Sequence, residues 1–72
     1  MRSKEEAIKN PMAGDRWRLV GADYPWNELV VVSVLSACSD RQVRYADHTS
    51  SWLPPLGFKN YLEDAEYLGG AE

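Results

Sequence analysis

The chain has 72 residues, 44% of them hydrophobic and 11% aromatic, and a net charge of −3. A chain this short supports one domain with a thin core, hiding roughly 60% of the surface its unfolded form exposes, so a deep substrate cleft is hard to build in it. The apolar content excludes a disordered acidic chain, the negative charge disfavours a protein that coats nucleic-acid backbone, and the single cysteine, Cys38, excludes an internal disulfide and favours a reducing compartment.

The N-terminus is charged and has no apolar central stretch, so it does not read as a signal peptide. The longest apolar run, residues 29–32, is too short to span a bilayer. The expected location is the cytoplasm, without membrane association. Charge is unevenly placed: the body is balanced, and every charged residue after Asn60 is acidic (Glu63, Asp64, Glu66, Glu72).

Residues 1–13 form a leader, either a short helix or flexible. Ser3, followed three residues later by Glu6, is a candidate capping box, and Pro11 ends any helix by forcing Asn10 out of the helical region. Gly14-Asp15 is turn chemistry. Residues 15–20 then alternate, with Trp17 and Leu19 on one face and Arg16, Arg18 and Val20 on the other, which predicts a half-buried strand. Residues 21–27 are a breaker-rich loop holding Tyr24, Pro25 and Trp26. Residues 28–38 predict a long strand with Val30, Val32 and Val34 on one face and Leu29, Val31 and Leu35 on the other. A strand apolar on both faces lies between two layers or curves so that each half faces a different one.

Ser39-Asp40-Arg41 predicts a tight turn, with Arg41 at its tip. Residues 42–47 alternate, Val43 and Tyr45 inward and Arg44 outward. After a second turn at His48-Thr49, residues 50–53 form a short strand stopped by Pro54-Pro55. Phe58, Tyr61 and Leu62 recur at helical spacing and predict a helical turn over 56–63 that plugs one end of the core. Residues 65–68 close the fold as a last strand, and residues 69–72 are expected to be a disordered tail.

Five short antiparallel strands over one core manage their edges best by closing, or nearly closing, into a barrel. The string of elements resembles the SH3-like barrel (Tudor- or KOW-like), with its long first loop and a helical turn before the fifth strand. The opening Gly14-Asp15-Arg16-Trp17-Arg18, together with Val43-Arg44-Tyr45, is similar to small uncharacterised phage and prophage proteins of this fold. The resemblance spans residues 14–68. It implies a mainly β, five-stranded antiparallel barrel of phage or prophage origin, and assigns no activity.

Three constellations bear on the functional reading. Trp17, Tyr24, Trp26, Tyr45 and Trp52 could form a cage or strip of the kind that binds methylated side chains or polyproline. Trp17 and Tyr45 are placed in the core by alternation, whereas Tyr24 and Trp26 either lid the barrel end or form a contact surface. Arg16, Arg18 and Arg44 share the outer face, either as a basic strip for single-stranded nucleic acid or as a solvated face paired with nearby acids. Cys38 and His48 would have to meet for nucleophilic catalysis, and a hairpin puts them at opposite ends. One cysteine and one histidine cannot complete a metal site, and no glycine loop cradles a phosphate.

The expectation is therefore a non-enzymatic module with no cofactor and no metal. Its partner is a protein or peptide bound through Tyr24, Pro25 and Trp26, with Arg16, Arg18 and Arg44 as polar rim. The alternatives are a nucleic-acid-binding or regulatory barrel, disfavoured by net charge, and a structural or assembly subunit that forms a homo-oligomer through the second strand.

Overall fold

The structure, a computed structural model, describes residues 2–70. In chain order the elements are α1 (Lys4–Lys9), β1 (Arg16–Arg18), β2 (Glu28–Val34), β3 (Arg41–Tyr45), β4 (Ser50–Leu53), α2 (Pro55–Leu62) and β5 (Glu66–Gly69). The five strands form one antiparallel sheet in the order β4-β3-β2-β1-β5. Among the described residues the sheet is open, with β4 and β5 as its edges.

Alternation selects the inner face. Trp17, Leu29, Val31 and Val43 are buried beneath the helices, with Ala7 from α1 and Phe58 and Leu62 from α2. Burying each Leu or Phe side chain completely contributes roughly 1.5–3 kcal/mol, so this cluster dominates the favourable side of folding. Trp17 also packs on Tyr67 of β5, ring centroids 4.9 Å apart at 42°, within the range preferred by aromatic pairs.

The all-apolar β2 gives no alternation to fix its phase, and the structure resolves this with an irregularity. Val31 is opposite Val43, yet Ser33 is opposite Gln42, which leaves Val32 as an extra residue. Such a bulge bends the strand. Burial falls away beyond it, and Val34 is exposed. β2 ends there, short of the expected residue 38, because residues 35–40 form the turn: Leu35 N–H donates to Asp40 O (2.9 Å), Ser39 N–H donates to Leu35 O (2.8 Å), and Ser39 takes φ 63°.

The N-terminal segment is a packed element. Ser3 Oγ accepts from Glu6 N–H at 3.1 Å, while the Glu6 carboxylate turns forward to accept from Asn10 Nδ2 at 3.0 Å. Ala7 is fully buried, and α1 contacts α2 and β5. At the other end, Gly69 is the last residue of β5 rather than part of a tail, and Gly70 packs against Asp15. The rest of the expected tail, residues 71–72, lies outside the described residues.

Two positions depart from their expected roles. Asp15, read as a turn residue, is 1% exposed. It shares inward parity with Trp17 and Leu19, and its carboxylate accepts from Arg2 Nη2, from Tyr67 OH (3.1 Å) and from Met12 N–H (2.9 Å). It thus ties the chain before α1 to β5. Arg41 is not at a turn tip. It begins β3 on the inward parity of Val43 and Tyr45, and is buried.

Candidate functional site

The β1–β2 loop is anchored by backbone hydrogen bonds. Leu19 N–H donates to Asn27 O (2.8 Å) across its base, Trp26 N–H donates to Asp23 O (2.8 Å) within it, and Ala46 N–H of the β3–β4 turn donates to Pro25 O (3.2 Å). The Tyr24–Pro25 peptide bond is cis. On this tethered backbone the side chains of Tyr24 and Trp26 are 69% and 54% exposed. They do not lid the core. Asn27 Oδ1, at the foot of the loop, is buried without a hydrogen-bond partner.

The arginines separate into two groups. Pairing register sets Arg16 opposite Val30 and Val30 opposite Arg44, so Arg16 and Arg44 flank Val30 in one row of the outer face. Neither is in an ion pair among the described residues. A shallow depression of about 130 Å³ lies over this row, lined by Arg16, Val30, Arg44, Tyr45 and Ala46 together with Leu29 and the acid Glu28. Ala46 therefore joins the arginine row to the loop, since its N–H holds Pro25. Arg18 lies on the same face, but Glu66 of β5 accepts from its Nη1 at 3.3 Å. Trp52 projects from β4 opposite Gln42 and is exposed; Trp17 is buried, and Tyr45 is half-buried.

The turn that supports the loop is itself built from specific contacts. Tyr45 N–H donates to Thr49 O (2.8 Å) and His48 N–H to Tyr45 O (3.0 Å), with His48 at φ 71°, the left-handed position of a three-residue hairpin loop. Asp47 accepts from Thr49 Oγ1 (2.6 Å) and from Thr49 N–H (3.1 Å). The Thr49 hydroxyl, then its N–H, holds the Asp47 carboxyl below the usual carboxylate range. Burial, reinforced by the neighbouring Tyr45 hydroxyl, pushes Tyr61 up to about 12.

Cys38, in the β2–β3 turn, and His48, in the β3–β4 turn, are both exposed. They lie at opposite ends of β3, whose five residues span roughly 16 Å at strand rise. Among the described residues no three His, Cys, Asp or Glu side chains cluster to hold a metal ion, and no helix is long and apolar enough to cross a membrane.

The sequence reading missed two buried charges, and parity carried the signal for both. Residues 15, 17 and 19 share one phase, as do 41, 43 and 45. Hydrophobicity masked it, because Asp and Arg are rarely buried unless paired. No family model, characterised protein or solved structure matches the chain.

Proposed function

We propose that this chain is a non-enzymatic interaction module of phage or prophage origin, an SH3-like barrel that captures a protein or peptide segment through Tyr24, Pro25 and Trp26. The observation that carries the reading is the exposure of two large aromatics on a loop whose backbone is held at three points. Tyrosine and tryptophan are favoured at the energetic centres of interfaces, and a loop already ordered loses less freedom on binding. Arg16 and Arg44 form the polar rim nearest the loop, and Arg18 joins it at the far side, where its pairing with Glu66 must be shared. A partner segment with apolar side chains and an acidic group fits this surface. The strand order, the long loop after β1 and the placement of α2 before β5 support the barrel assignment. The resemblance of residues 14–18 and 43–45 supports the origin.

The test is the pair of substitutions Tyr24→Ala and Trp26→Ala. Both side chains are mostly in solvent, so the double variant should melt within a few degrees of the parent while losing capture of its partner in affinity purification. A variant that captures the same partner equally well contradicts the proposal. So does one that unfolds, because the aromatics would then belong to the core.

A further inference from the structure

On the helix side, opposite the surface just described, α1 and α2 flank a groove of about 700 Å³, within the size range of small-molecule sites. Four bases line it (Lys4, Lys9, Lys59 and Arg41) against two acids, Glu5 and Glu63. The groove is therefore basic in a chain of net charge −3. Lys4 is engaged, donating to Glu63 O at 2.7 Å. Lys9, Lys59 and Arg41 are in no ion pair among the described residues.

Arg41 is the unusual member. It is 6% exposed, its guanidinium lies over the Phe58 ring with Cζ 5.2 Å from the centroid, and Nε and Nη1 are buried without a hydrogen-bond partner. It also lines the adjoining cleft of about 300 Å³ beside Lys9 and Asn10. Burial lowers its pKa, partly countered by Asp40, and a guanidinium remains protonated regardless. Native structures satisfy almost all buried polar groups, and an exception needs a reason such as an ion. The ring contact offsets charge on one face of the guanidinium and leaves its in-plane donors unused. The first turn of α2, which has no side-chain cap, begins at the same groove with Pro55 lining it, and a helix N-terminus favours negative charge.

We propose that this groove binds the oxyanion group, phosphate or carboxylate, of a small organic molecule. Arg41 is the in-plane donor at its floor, and Lys9 and Lys59 supply charge at its rim. A planar fork of N–H donors matches the two oxygens of either anion, which a lysine in the same place would not.

The test is an isothermal titration of the full chain, with nuclear magnetic resonance mapping, against pyrophosphate and separately against glutarate, at ionic strength held constant with sodium chloride. Saturable binding of at least one, with shifts concentrated in α1, α2 and the start of β3, supports the proposal, and the better ligand identifies phosphate or carboxylate as the preferred source. Lys9→Gln and Lys59→Gln, both exposed and outside the core, should keep the fold and weaken binding by up to about fivefold each. Arg41→Met keeps the length without the charge. It should abolish binding in a chain that still folds, because it removes two buried donors that have no partner in the protein, at the loss of the Phe58 ring contact. Shifts that stay linear and unsaturable for both anions overturn the proposal. So does a folded Arg41→Met chain that binds as the parent does.

Discussion

Replacing Asp15 by alanine deletes a carboxylate that is 1% exposed and that joins three segments: Arg2 before α1, Met12 in the following turn and Tyr67 in β5. Breaking a buried ion pair by removing one partner costs about 3–5 kcal/mol where the remaining charge loses its compensation, and Arg2 keeps its hydrogen bond to Asn10 O (2.6 Å). Here the Tyr67 hydroxyl and the Met12 N–H also lose their acceptor, at about 1–3 kcal/mol for each donor that water cannot reach. These costs overlap, and Arg2 keeps some access to water (18% for its side chain), so about 3–5 kcal/mol is the expected total. For a chain of 72 residues the whole folding free energy is about 4–11 kcal/mol. Asp15→Ala should therefore be marginally folded at room temperature, with a urea midpoint far below the parent's. Arg2→Ala should cost less, since Asp15 retains Tyr67 and Met12. Gly70→Ala should damage the same place from the other side, as a Cβ there would collide with Asp15 Oδ1. A urea melt in which Asp15→Ala loses less than about 1 kcal/mol, the worth of one ordinary hydrogen bond, would refute the reasoning.

Other outcomes follow from single contacts. Tyr61 holds its proton up to about 12, whereas an unfolded tyrosine ionises near ~10; the unfolded chain binds fewer protons between those values, so stability should fall as pH rises through that window. Tyr61→Phe should flatten that loss in melts recorded from neutral to strongly alkaline pH. His48 adopts φ 71°, where a Cβ is penalised, so His48→Gly should raise stability by up to about 1 kcal/mol, read as a higher melting temperature. A single-stranded oligonucleotide at low salt should leave the amides around Arg16, Val30 and Arg44 unshifted in nuclear magnetic resonance spectra, because net charge and the Arg18–Glu66 pair leave too small a basic field on that face.

The parts of the fold that local pattern determines were legible in the sequence. Trp17 with Leu19, Val43 with Tyr45, and Phe58 with Leu62 each announce a buried face by spacing alone, and the strands and α2 lie within a few residues of where those spacings put them. β2 was not legible in the same way, since a run of valines carries no phase, and the extra residue at Val32 depends on pairing with β3. Asp15 and Arg41 obeyed the parity of their neighbours, yet their burial is created by partners far along the chain: Tyr67 for one, Phe58 for the other. The same distinction governs the candidate surface. Tyr24 and Trp26 stood out because no periodicity buries them. The tether from Ala46 to Pro25, which places the loop beside the Arg16–Val30–Arg44 row, is a contact between two turns that no local pattern encodes.

The most direct measurement places the photo-cross-linking residue p-benzoylphenylalanine at Asp23, exposed in the loop beside Tyr24 and Trp26, with Leu56→p-benzoylphenylalanine on exposed α2 surface as the comparison. The account predicts one discrete adduct from position 23, lost when Tyr24→Ala and Trp26→Ala are added, and none from position 56. Equal adducts from both positions, or none from position 23 while the partner is still captured, would place recognition elsewhere on the molecule.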